Sequence, residues 1–125
     1  MENQKKKICI IEDEESLRAA CATKLENSGY DVFLASNGEA GIALVKDINP
    51  DLIILDLMMP LKNGFEVMEA LQNDENFSKI PIIIFSNMDD VNSSEKAGEF
   101  ETRFYLIKAL TSLEKLLGIV REVLH

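Results

Sequence analysis

The amino-acid sequence predicts a parallel α/β fold, a five-stranded sheet with helices on both faces. Two observations carry this prediction. Five short apolar runs, at residues 8–11, 32–35, 52–55, 82–85 and 105–107, are continuous rather than alternating, as in strands buried on both faces. The stretches between them have a helical period and are long enough for crossovers but too long for hairpins. A chain of 125 residues makes this one domain, 1–125, with residues 1–6 expected to form a flexible basic N-terminus.

The elements follow in order. After the run Ile8-Cys9-Ile10-Ile11, residues Leu17, Ala20, Cys21, Lys24 and Leu25 share a helical stripe, four of them apolar, and Gly29 stands where a helix stop belongs. Behind the second run, Ala40, Ala43, Leu44 and Ile48 repeat the spacing until Asn49-Pro50 breaks it. Phe65, Met68 and Leu71 follow the third run. Residues 89–98 give the weakest helical signal, with only Val91 and Ala97 to bury. Leu113, Leu116, Leu117, Val120 and Leu124 give the clearest stripe, behind a Ser112 cap.

Composition bounds the function. Hydrophobic residues are 46% and charged residues 28%, which places the chain among folded globular domains rather than disordered ones. Thirteen Lys and Arg against twenty-two Asp and Glu leave −9, which argues against a phosphate-backbone partner despite Lys5, Lys6 and Lys7. Direct nucleic-acid binding is therefore not expected. No stretch approaches the ~20 apolar residues of a membrane span. Glu12-Asp13-Glu14-Glu15 ends the first apolar run after four residues, too soon for a signal peptide. Cys9 and Cys21 read as buried free thiols, and the expected compartment is the cytoplasm.

In a parallel sheet ligands bind beyond the carboxyl ends of the strands. Glu12 and Asp13 follow the first run, Asp56 the third, Ser86 the fourth and Lys108 the fifth. Each has an ordinary explanation as a cap, a turn residue or a strand end. Their conjunction does not, because crowded carboxylates repel and need a cation between them. An oxygen-only cluster with one lysine suits Mg²⁺ and a phosphoryl group.

These residues stand in a wider pattern. Asp51-Leu52-Ile53-Ile54-Leu55-Asp56-Leu57-Met58-Met59-Pro60, then Asn63-Gly64-Phe65-Glu66, Ile80-Pro81-Ile82-Ile83-Ile84-Phe85-Ser86 and Tyr105-Leu106-Ile107-Lys108 occur in order. With Glu12-Asp13, they make the sequence resemble the receiver domains of two-component response regulators, most closely the single-domain chemotaxis type. The resemblance spans essentially the whole chain and implies a flavodoxin-like (βα)5 fold with strand order 2-1-3-4-5. It implies that Asp56 is the phosphoacceptor and that Glu12, acting through water, Asp13, Asp56 and the Met58 carbonyl hold Mg²⁺. Ser86 and Lys108 would contact phosphoryl oxygens, and Tyr105 would change rotamer on activation. The resemblance also implies a histidine kinase or histidine phosphotransfer protein as donor; with His125 as its sole histidine, this chain is not expected to be that kinase itself.

The chain departs from the family pattern in three places: Ala109 replaces a proline, Asn87 replaces a small residue, and Glu101-Thr102 replaces Gly-Ala. A cis bond before Ala109 would cost about 2.5–4 kcal/mol, so a trans Lys108–Ala109 peptide is expected. Met58 and Met88, two residues beyond Asp56 and Ser86, cannot orient an attacking water, which predicts a long-lived phosphorylated form.

The function expected is a phosphorylatable signalling switch, not an enzyme. It would act as a monomer or weak dimer on an unknown downstream protein, without membrane or nucleic-acid contact. With no effector region after Val123-Leu124-His125, output would come from docking, dimerisation or phosphate relay. The alternatives are an aspartyl-phosphate phosphatase, a flavin-binding module, and a degenerate receiver that only binds partners. The phosphatase would need a second acid where Met58 stands. The flavin module would need hydroxyls and glycines where Glu12–Glu15 stand. Intact Asp13, Asp56 and Lys108 argue against degeneracy.

Overall fold

The computed structural model describes residues 4–87, 95–100 and 102–125. Its sheet consists of β1 (Lys7–Ile11), β2 (Asp31–Ala35), β3 (Leu52–Leu55), β4 (Ile82–Ser86) and β5 (Thr102–Ile107). All neighbouring strands are parallel, in the order β2-β1-β3-β4-β5. Among the described residues the α-helices are α1 (Glu15–Glu26), α2 (Gly38–Ile48), α3 (Gly64–Gln72) and α4 (Leu113–Leu124). The weak helical signal at 89–98 lies mostly outside the described residues; 95–97 are helical. No described helix is long and apolar enough to cross a membrane.

Two apolar layers sandwich the sheet. On one face Cys21 and Leu25 of α1 join Leu116, Leu117 and Val120 of α4 over Ile8, Ile10 and Ile83. On the other, Val45 of α2 and Val67, Met68 and Leu71 of α3 pack over Ile11, Ile53 and Ile84. The central strands β1, β3 and β4 are buried along nearly their whole length, as continuous apolar runs require. Edge strand β2 is only half-buried and exposes Leu34. Both thiols are buried and free. Desolvation pushes Cys9 up to about 12 and, as the largest of several causes, Cys21 up to about 11.

Local chemistry sets the helix ends. Asn37, Asn63 and Ser112 each accept a backbone N–H at the start of a helix, and Asn63 with Glu66 closes a reciprocal capping box. Asn49, left-handed at φ 48°, ends α2 just before Pro50. Strand β5 begins at Thr102, three residues before the apolar run. Thr102 and Arg103 are polar and at most partly covered, so apolar continuity does not reveal them.

Two helical stripes differ from expectation. Ala20 is exposed and Ala22 buried in α1, because a small side chain says little about which way a helix faces. In α2, Ala40 and Ala43 are exposed, and the buried face is Gly38, Gly41 and Val45. A Cβ at Gly41 would lie 2.6 Å from Cδ1 of Ile11, so glycine lets α2 sit directly on β1. The hydrophobic pattern misses this face because glycine carries no apolar signal.

Gly64 repeats the device beside the Asp56 backbone. A Cβ there would meet the Asp56 carbonyl oxygen at 2.6 Å and the Leu57 Cα at 2.7 Å. Gly64→Ala should therefore destabilise the fold by about 1–3 kcal/mol, lowering the urea midpoint. An unchanged midpoint would show that α3 shifts away freely.

Candidate functional site

The carboxyl ends of β1, β3, β4 and β5 converge on one pocket of about 320 Å³, lined among others by Glu12, Asp13, Asp56, Met58, Asn87 and Lys108. Strand pairing delivers the acids. The Glu12 N–H donates to the Ala35 carbonyl and the Asp56 N–H to the Ile11 carbonyl, so both residues prolong the ladder by one step. Glu12 is 3% exposed and Asp56 5%.

Every oxygen of the two buried carboxylates is engaged. Lys108 Nζ lies 2.7 Å from Glu12 Oε1 and 3.1 Å from Asp56 Oδ2. The Ser86 hydroxyl donates to Asp56 Oδ1 at 2.7 Å, and the Met58 N–H to the same oxygen at 3.1 Å. The Glu14 N–H donates to Glu12 Oε2 at 3.0 Å. Burial raises Glu12 above the usual carboxylate range, against the opposing pull of Lys108. Burial also opposes the Lys108 charge, but its bonds to Glu12 and Asp56 outweigh this and raise the ammonium above its ordinary value.

Asp13 is exposed at the pocket mouth and completes a set with Glu12 and Asp56 whose ligand atoms lie within 4.8 Å of one another. This set is all carboxylate oxygen, the donor chemistry of a hard divalent cation, and its negative charge exceeds what one lysine offsets. The residues thus fit Mg²⁺.

The structure brings together Glu12, Asp13, Asp56, Ser86, Lys108 and the Met58 backbone. Tyr105 stands half-buried on β5, packed on the α2–α3 layer and paired in register with Ile84. The Lys108–Ala109 peptide is trans, as the cost of a cis bond before alanine predicts, and residues Lys108–Leu110 form a short 3-10 turn. Sequence reasoning missed Arg18, whose guanidinium donates to the Glu12 carbonyl at 2.8 Å. It also missed the Met58 and Glu14 N–H groups on the carboxylates. Backbone donors leave no residue-type signature, and Arg18 reads as a surface residue of α1.

A doubly wound sheet with buried acids, a hydroxyl and a lysine at its carboxyl edge defines the class, a flavodoxin-like signalling domain. The chain belongs to the response regulator receiver domain family, which matches residues 8–121. It is 36% identical, over 98% of its length and 49% of the relative's, to a "probable transcriptional regulator ycf27" of Porphyridium aerugineum. It is 31% identical to "Protein PilG" of Pseudomonas aeruginosa, over 92% of this chain and 84% of that protein. The chain spans about half the length of the first of these relatives. The structure of the Vibrio cholerae "chemotaxis protein CheY4" superposes with a TM-score of 0.89 at 25% identity, over 97% of this chain and 100% of that one. Receiver domains are signalling modules, and this chain is one of them.

The site is held by its one lysine. Lys108→Met would leave two buried carboxylates facing each other and should cost about 3 kcal/mol of stability, whereas Asp56→Asn removes a charge and should cost less. Urea unfolding in EDTA checks this order, and added Mg²⁺ should narrow the gap. Equal losses in EDTA would refute the role given to the lysine.

Proposed function

We propose that this receiver takes a phosphoryl group onto Asp56 from a phosphohistidine on a histidine kinase or histidine phosphotransfer protein and signals through altered protein contacts. One observation carries the proposal. The Asp56 carboxylate is buried at the floor of an open acidic pocket, with Ser86 and the Met58 N–H on one oxygen and Lys108 on the other.

In the transfer, an Asp56 oxygen forms a bond to phosphorus as the bond from phosphorus to the donor imidazole nitrogen breaks; the electron pair leaves with the imidazole. Lys108 turns its ammonium from the carboxylate to a phosphoryl oxygen, and the Ser86 hydroxyl follows another. Glu12 through water, Asp13, Asp56 and the Met58 carbonyl would hold Mg²⁺. When bound, the ion offsets the negative charge shared by the carboxylates and the phosphoryl oxygens.

Ser86 and Ile84 alternate along β4 and so point to the same sheet face, and Tyr105 is the register partner of Ile84. Withdrawal of the Ser86 hydroxyl toward the phosphoryl group opens space on the face where Tyr105 packs. The ring is the second half of the switch. Asp13, Asp56 and Lys108 meet in one pocket, which favours phosphorylation over partner binding alone. The position two residues after Asp56 is Met58, which supplies no acid for phosphatase turnover, and none is expected on a phosphate monoester.

Incubation with acetyl phosphate and Mg²⁺ should add one phosphoryl group by intact mass, and Asp56→Asn should abolish it. Stoichiometric uptake by Asp56→Asn would refute the assignment. Asp13→Asn should mainly raise the Mg²⁺ concentration needed.

The Met58 side chain is 56% exposed and lines the pocket mouth. Its thioether cannot orient a hydrolytic water, so Met58→Glu or Met58→Asn should speed loss of the phosphoryl group by roughly tenfold or more. An unchanged decay rate would count against this. Met88, expected to act with it, lies outside the described residues.

A further inference from the structure

At the opposite end of the sheet, below the first residues of β1 and β2, lies a second cavity of about 500 Å³. Lys5 and Lys6 line it from the segment before β1, Gly29 and Tyr30 from the turn between α1 and β2, and Arg121 and His125 from the end of α4. No carboxylate side chain is among its lining residues, in a chain of net charge −9. Among the described residues, none of Lys5, Lys6 and Arg121 is ion-paired. Tyr30 and His125 add polar groups to the lining, with the Tyr30 hydroxyl 3.1 Å from Nε2 of the imidazole.

Arg121 alone would need no ligand to explain it, since it lies in the last turn of α4, where a cation complements the carbonyl end of the helix. Lys5 and Lys6 belong to no helix. They bring two more ammonium groups to the same concavity, which no acidic side chain lines. The volume falls within the range of small-molecule sites, and the lining offers cations and hydroxyl or imidazole hydrogen bonds rather than an apolar wall.

We propose that this cavity binds a small polyanion bearing two or more phosphoryl groups. The charge count favours it. The cationic side chains of Lys5, Lys6 and Arg121 match a compact ligand of several negative charges, whereas the acidic remainder of the surface repels an extended nucleic acid. The site is independent of the acidic pocket, which lies at the other end of the strands.

Pyrophosphate titrated in EDTA, so that the acidic pocket carries no cation to attract it, provides the test. Backbone amide signals of Lys6, Gly29 and Tyr30 should shift saturably. Affinity should fall at least tenfold in a Lys5→Gln, Lys6→Gln, Arg121→Gln variant, and also fall as NaCl is raised. A Lys46→Gln, Lys79→Gln control should bind unchanged, and orthophosphate should bind at least tenfold more weakly. Lys5→Gln with Lys6→Gln alone alters only exposed side chains outside the helices and strands, so affinity should fall there while the urea midpoint stays unchanged. Shifts that never saturate, unchanged affinity in the triple variant, or equal affinity for orthophosphate would each overturn the proposal.

Discussion

One ammonium, that of Lys108, stands between two buried carboxylates, 2.7 Å from Glu12 and 3.1 Å from Asp56, with the exposed Asp13 beside them. That charge imbalance governs the site. Burial raises Glu12 and opposes the Lys108 charge, and the bonds from Lys108 to both carboxylates work against that penalty. The same imbalance makes the pocket receptive. A site with spare negative charge attracts a divalent ion, and a lysine shared between two acids can turn toward a third oxyanion without leaving its neighbours uncompensated.

The parallel sheet assembles this cluster from residues far apart in sequence. Each strand runs the same way, so residues that follow β1, β3, β4 and β5 arrive at one edge, although Glu12 and Lys108 are separated by most of the chain. Precision comes from the backbone. The Glu12 and Asp56 amides are tied into the ladder, and Gly64 lets α3 press against the Asp56 carbonyl. The carboxylate oxygens are held by groups whose own positions the sheet determines. Ser86 is the last residue of β4, and the Met58 N–H belongs to the turn that Gly64 closes by donating to the Leu57 carbonyl.

How much of this was legible in the sequence depends on the kind of signal each residue sends. Continuous isoleucine runs marked the central strands, since burial on both faces selects apolar residues at every position. Charged residues just past those runs marked Glu12, Asp13, Asp56 and Lys108, because a charge where burial begins is costly unless used. The polar start of β5 and the glycine face of α2 stayed hidden, since neither alters the hydrophobic pattern. Arg18 and the backbone donors on Glu12 and Asp56 were hidden for another reason. A guanidinium that bonds a carbonyl, or an N–H that bonds a carboxylate, is visible only once the turn is folded.

Ala109 separates what aims the lysine from what shapes the loop. The Lys108–Ala109 peptide is trans and the chain continues into a 3-10 turn, yet Lys108 still reaches both acids. The direction of a side chain is set by its own Cα and the strand that precedes it, here β5 paired with β4 up to Ile107. The peptide that follows acts later in the chain and directs Leu110 outward, where it is 78% exposed. Proline at this position is therefore not needed to aim the lysine. What it would change is the path of residues 109–112 and the surface they present beside the pocket, so the substitution alters what a partner meets there while leaving the charge arrangement around Asp56 in place.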